Sequence, residues 1–360
     1  RLADVLEAQF ASALVEVTGG EAVVEHVVRG EDDLDAAPCA TAPSPAWFVP
    51  SLVTTRDARA RLVLFNPVPD DAVVDLVFAT PEGVREVPDY TGFVVPAREV
   101  VGVDVGDAVQ RQEQVSVSVV ARAGRLVVDA IQTFDGTLGP SGLGLTPGAP
   151  APALLWQFPD GYKTEGITEV VTVYNPMPEP AEVDVELVVD PSSDPLVVTE
   201  VEPFQLSIPP GRYAQVSVGA EERVPADLGH GIVVRSQNGV PVVAQRSIAS
   251  VDPAPRTGWS GTLGTPVTAE RWLTAVGGTG EGESEFLVVL NPSPDLIARV
   301  SVATPTPGQL LPVAGLQELE VQPGTRLRID LGEYVNRDTL PLVVTSTLAV
   351  SVERGLYPVV

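Results

Sequence analysis

One cysteine, two histidines and a surplus of carboxylates are what this 360-residue chain offers for side-chain chemistry. Cys39 would need a base beside it to act as a nucleophile, and no recognisable spacing links it to His26 or His230. It stands in the small-residue connector Ala36-Ala37-Pro38-Cys39-Ala40, and as the single cysteine it can pair only with a thiol outside the sequence. Gly139-Pro140-Ser141-Gly142 and Gly258-Trp259-Ser260-Gly261 approach the Gly-x-Ser-x-Gly nucleophile elbow without matching it, and both fall in connectors. Gly278-Thr279-Gly280-Glu281-Gly282 has the glycine content of a phosphate loop, but it lacks a lysine and a following helix.

Metal chemistry fares no better. The histidines lie far apart and have no cysteine partners for zinc. The acidic clusters at 31–35, 190–194 and 281–285 lack the spacing of a calcium loop and read as charged connectors and loop tips. A glycosidase pair of carboxylates is set by folding and cannot be nominated from spacing. Arg246 and Arg354 end equivalent strands; they read as solvated strand ends, with buried pairing to a neighbouring module as the alternative. The expectation is therefore a non-enzyme with no catalytic, cofactor-binding or metal-binding residue.

The rest of the sequence says what these residues are mounted on. A net charge of −26 repels phosphate backbones and anionic membranes, which excludes nucleic acid as a natural partner. Lys163 is the sole lysine, and the acidity reads as a solvated surface. Hydrophobic residues reach 44% with aromatics at 5%, so the cores must be built from Val, Leu, Ile and Ala. Gly 32 and Pro 35 imply frequent turns and short elements. No run is long enough to cross a bilayer and no signal peptide is visible, so the chain reads as a segment of a longer one.

Internal repetition carries the most information. Trp47, Trp156 and Trp272 each stand 19 residues before an Asn-Pro pair: Asn66-Pro67, Asn175-Pro176 and Asn291-Pro292. After each pair comes an alternating strand, such as Val183-Asp184-Val185-Glu186-Leu187, then a Pro-containing turn at 95–97, 208–211 or 321–324. Each unit ends in two Val-rich strands read as a closing hairpin, turned at Ala123-Gly124 in the first unit and Asn238-Gly239 in the second.

β-Branched residues at period two, with acids on the opposite face, specify antiparallel sheets with one wet side. About seven short strands per unit fits an all-β fold of tandem immunoglobulin-like antiparallel β-sandwich modules. The spacing predicts repeats at 47–134, 154–248 and 271–360, separated by Gly/Pro linkers at 31–46, 135–153 and 249–270. Residues 1–30 read as the closing hairpin of a truncated preceding repeat, with strands at 13–17 and 22–28; a short amphipathic helix at 2–12 is the competing reading. Each tryptophan is expected to plug a sandwich core, the alternative being an exposed platform for sugar rings. Each Asn-Pro is expected to stop a strand, with the asparagine side chain bonding nearby backbone.

The ordered series Trp-x-Phe-Pro, apolar-Asn-Pro, Pro-Gly, and a Val-rich ending in Gln245-Arg246 or Glu353-Arg354 resembles the actinobacterial family known as domain of unknown function 5719. The first unit departs from the pattern in having Pro96-Ala97 where the others have Pro-Gly. The resemblance implies a secreted or membrane-anchored protein of the cell envelope and carries no known activity, ligand or catalytic residue. The leading functional expectation is a spacer or scaffold made of a semi-rigid row of modules. A module that binds a cell-wall polymer or an envelope protein comes second, and a hydrolase with a site between modules third.

Overall fold

The computed structural model describes residues 10–20, 22–30, 33–194 and 196–358. The chain is almost entirely β, in several antiparallel sheets. A hairpin of β1 (Glu25–Arg29) and β2 (Leu34–Pro38) comes first. The first module comprises β3 (Ala46–Leu52), β4 (Ala58–Phe65), β5 (Ala72–Thr80), β6 (Gly83–Glu86), β7 (Phe93–Val95), β8 (Val100–Asp104), β9 (Val115–Ala123), β10 (Val127–Asp135) and β11 (Ser141–Pro147). The second comprises β12 (Leu155–Phe158), β13 (Ile167–Asn175), β14 (Ala181–Val189), β15 (Phe204–Ile208), β16 (Arg212–Ser217), β17 (His230–Ser236), β18 (Val243–Ser250) and β19 (Gly258–Leu263). The third comprises β20 (Ala269–Thr274), β21 (Glu283–Leu290), β22 (Ala298–Thr306), β23 (Gln309–Pro312), β24 (Leu319–Val321), β25 (Arg326–Asp330) and the 17-residue β26 (Leu342–Pro358).

The pairing order repeats. In the first module one sheet runs β3-β9-β5-β6 and the other β11-β10-β4-β8; in the second they run β12-β17-β14-β15 and β16-β13-β18-β19. Alternation fixes which face is dry: Val74, Leu76 and Phe78 of β5, Val183 and Val185 of β14, and Val300 and Val302 of β22 all point into cores. Each module has its own apolar cluster, and Phe48 and Ala149 reach into that of the second module.

The closing hairpins expected from the sequence are not hairpins. β9 and β10 lie in opposite sheets, as do β17 and β18. Gly124 and Gly239, at φ 82° and 79°, turn a corner between the layers rather than a ladder onto itself. In the third module β26 runs without a break from one layer into the other, pairing first with β20 and β22 and then with β21.

The segments read as linkers are not free connectors either, because each contains a strand: β2, β11 and β19. β11 adds to β10, and β19 to β18. β11 and β19 then press together so closely that a Cβ on Gly142 or Gly144 would meet Trp259 at 2.7 or 2.2 Å. Their glycines therefore serve close packing, not flexibility. The N-terminal hairpin is also displaced from its expected place. Residues 13–17 form no strand, and the pairing is Glu25–Arg29 with Leu34–Pro38. Most of the alternative helix at 2–12 lies outside the described residues.

Candidate functional site: the seam between modules

The repeat landmarks are structural fastenings. Trp47, Trp156 and Trp272 donate Nε1–H to the carbonyls of Leu126, Val242 and Val350, at 2.7, 2.7 and 2.9 Å, tying the first strand of each module to the place where the chain crosses from one layer to the other. Trp47 and Trp156 are buried and Trp272 is half-buried. Asn66, Asn175 and Asn291 are fully buried. Each donates through Nδ2 to two edges of a turn, for example Glu179 O at 2.7 Å and Ile208 O at 2.9 Å. Each Oδ1 accepts the amide two residues on, from Val68, Met177 or Ser293. Pro67, Pro176 and Pro292 end the strands beside them, having no N–H to extend a ladder.

The charged residues gather elsewhere. Between the second and third modules, Arg246 donates to Glu353 at 2.5 Å and stands 3.8 Å from Glu169. Glu169 in turn bonds His230 at 2.7 Å, with both side chains 1% exposed. Arg326 of the third module grips Asp190 of the second with Nε and Nη2, both at 2.8 Å, and reaches Pro159 O at 3.0 Å. Burial alone would oppose the Arg246 charge, but the carboxylates of Glu353, Glu169 and Asp160 outweigh it and hold its pKa above the usual arginine range. Arg246 is therefore not a solvated strand end; it is the buried partner of the neighbouring module.

Register shows why the seam exists. Five residues after each tryptophan stand Leu52, Gly161 and Gly277; six before each asparagine stand Ala60, Glu169 and Glu285. Opposite Leu62, Val171 and Leu287 on the closing strands lie Ala130, Arg246 and Arg354. The second and third modules thus use Gly, Glu and Arg where the first uses Leu, Ala and Ala. A Cβ on Gly161 would lie 2.9 Å from Glu169 Oε1, and one on Gly277 would lie 2.5 Å from both oxygens of Glu285. Leu52 fills the volume that a buried carboxylate occupies in the other two.

The third module's carboxylate is less well served. Glu285 is fully buried and neither oxygen has a well-formed hydrogen bond. Burial pushes its pKa up to about 8, against the opposing pull of Arg354. Arg354 is drawn to Glu25 at 3.2 Å and to the Val276 carbonyl.

The same fastening recurs from unit to unit. Pairing places Glu25, Asp129, Gln245 and Glu353 at one equivalent position. Gln245 accepts the Ser51 amide at 3.1 Å and donates back to its carbonyl; Glu353 accepts the Asp160 amide at 3.0 Å; Glu25 accepts the Val276 amide at 2.7 Å. Ser51, Asp160 and Val276 each stand four residues after a tryptophan. The hairpin meets the first module through Asp35, which accepts the Leu145 amide at 2.7 Å, and through His26, 3.9 Å from Asp129. Contacts therefore run from module one to two, two to three, three to the hairpin and the hairpin back to one. The modules close on one another and do not extend as a rod.

Among known proteins, residues 20–155, the hairpin and the first module, match the model described as Family of unknown function (DUF5719). Two solved structures show local likeness: "Crystal Structure of Thermotoga maritima 1070", 22% identical over 32% of this chain and 94% of that one at a TM-score of 0.27, and "Anabaena sensory rhodopsin transducer", 25% identical over 27% and 82% at 0.22. No curated protein matches the chain.

The matched stretch also holds Cys39, which the fold brings beside His26, Sγ to Nδ1 at 3.5 Å. Sequence spacing gave no sign of this contact because the β1–β2 ladder creates it. Burial and the nearby Asp129 and Glu25 raise the thiol pKa, which disfavours the thiolate a nucleophile needs. Against Asp35, Ala36 and Arg354 lies a cavity of about 50 Å³, room for a few waters. Burial lifts the Asp35 carboxyl to about 6, although the amides of Leu145 and Ala36 pull the other way. Among the described residues no group of three or more His, Cys, Asp or Glu is placed to hold a metal ion.

Proposed function

We propose that the chain is a non-catalytic scaffold of the cell envelope, working outside the cell as a rigid group of locked β-sandwich modules. The observation that carries this reading is where the reactive side chains are used. His230, Glu169 and Arg246 are buried, and together with Glu353 and Arg326 they are spent in ion pairs and hydrogen bonds within and between modules. A strongly acidic surface keeps such a body soluble and apart from anionic polymers. Binding of a wall polymer is the second reading. It draws on an open groove of about 280 Å³ lined by Arg56, Arg59, Phe134 and Asp135, where Phe134 packs against Trp259. The test is to locate the protein by cell fractionation and to incubate the purified chain with wall-polymer fragments and with ester and glycoside substrates. Recovery in the envelope with neither turnover nor saturable binding supports the scaffold. Saturable binding moves the assignment to the second reading, and turnover contradicts both.

A further inference from the structure

The junction between the N-terminal hairpin and the first module lacks a part that the other three junctions have. Glu25, Gln245 and Glu353 each accept the amide of a residue in or beside a neighbour's first strand, whereas the equivalent Asp129 accepts no such amide among the described residues and has His26 at 3.9 Å. β10, β18 and β26 are each paired by a second-position strand, β4, β13 or β21; their counterpart β1 pairs only with β2 among the described residues. The bonds Cys39 N to Val24 O and Gly30 N to Asp33 O fix the phase of that hairpin. Even-numbered residues face β2, so Glu25, Val27 and Arg29 turn their N–H and C=O groups to the open edge. Just upstream, Leu14, Val15, Val17 and Val23 are 63, 55, 51 and 40% exposed. They flank Gly19-Gly20, which matches the corner Ala123-Gly124 at the same offset of 104 that relates Glu25 to Asp129.

We propose that the open edge of β1, the exposed side chains of Leu14, Val15, Val17 and Val23, and Asp129 form the docking site for the body of a further repeat unit of this same kind, joined in series ahead of the hairpin. Its second strand would pair with Glu25, Val27 and Arg29. The amide four residues after its tryptophan would bond Asp129, and its apolar layer would cover Leu14, Val15, Val17 and Val23. The inference is independent of the scaffold assignment.

Hydrogen exchange tests it, on the full chain alone and on the full chain with a second copy of residues 46–104 fused directly ahead of Arg1, a fusion that keeps the offset. The amides of Glu25, Val27 and Arg29 should exchange at least about tenfold more slowly in the fusion, and Asp129→Ala should reverse part of that gain. Unchanged exchange in a folded fusion overturns the proposal. Should the fused segment fail to fold, a peptide of residues 283–290, the strand β21 sequence, is titrated into the full chain. Saturable slowing at the same three amides supports the site and no slowing overturns it. Concentration-dependent protection in the unextended chain would assign the edge to a second copy instead and would also overturn the proposal.

Discussion

Arg246 of the second module and Glu353 of the third meet at 2.5 Å, their side chains only 4 and 14% exposed. A desolvated ion pair is weak evidence of net stabilisation, yet removing one partner strands the other charge. Arg246→Ala leaves both Glu353 and Glu169 uncompensated. It should cost about 3–5 kcal/mol in chemical denaturation and loosen the second module from the third. A loss below about 1 kcal/mol would show that the pair is solvated.

The exchange of Leu52, Ala60 and Val115 in the first module for Gly161, Glu169 and His230 in the second makes a coupled prediction. Gly161→Leu alone should be severely destabilising, because its side chain would strike His230 and Glu169. Adding Glu169→Ala and His230→Val recreates the first module's apolar packing while Arg246 keeps Glu353. The triple variant should recover most of the loss, by at least about 2 kcal/mol. Additive losses would mean that the three positions do not share one volume.

Much of this is legible in the sequence and some is not. Period-two valines, the Trp-to-Asn spacing and the Asn-Pro stops specify three sandwiches, because alternation and turn chemistry act locally. The corners at Gly124 and Gly239 look like hairpin turns in the sequence, since a positive-φ glycine permits either path and only the layer packing chooses. The linker strands β11 and β19 are hidden because glycine weakens the strand signal at the very places where close packing requires it. The seam is hidden because its partners lie far apart in sequence, as Arg246 and Glu353 do. One signal is available: glycine and glutamate replace leucine and alanine together at equivalent repeat positions.

Stability should fall as pH rises from about 4.5 to about 8. Glu285 has its pKa raised in the folded protein, so across that interval the unfolded chain releases its proton first and the native state is penalised. Asp35, raised to about 6, acts in the same direction between its usual value and that pH. Both effects vanish at lower pH, where the groups are protonated in either state. A tenfold difference in proton affinity between the folded and unfolded states is worth about 1.4 kcal/mol. Glu285→Gln should therefore stabilise the protein at pH 8 by a few kcal/mol and do little at pH 4. Equal melting temperatures for the variant and the parent at pH 8 would contradict this.

Arg98 occupies the left-handed turn position at φ 60° that Gly211 and Gly324 hold in the other modules at 66° and 62°. A side chain there is strained. Arg98→Gly should be neutral to stabilising, by about 0.5–1 kcal/mol, whereas Gly211→Ala should destabilise by at least that much. The same sign for both substitutions would show that the two turns are not equivalent.

Small-angle scattering of the intact chain probes the locked arrangement most directly. Modules that contact one another in a closed circuit predict a radius of gyration of about 20–25 Å, near that of a compact chain of this length. A value above about 30 Å, with a profile characteristic of a rod, would mean that the seams at Gln245, Glu353 and Glu25 do not hold in solution, and the account of a locked body would fail.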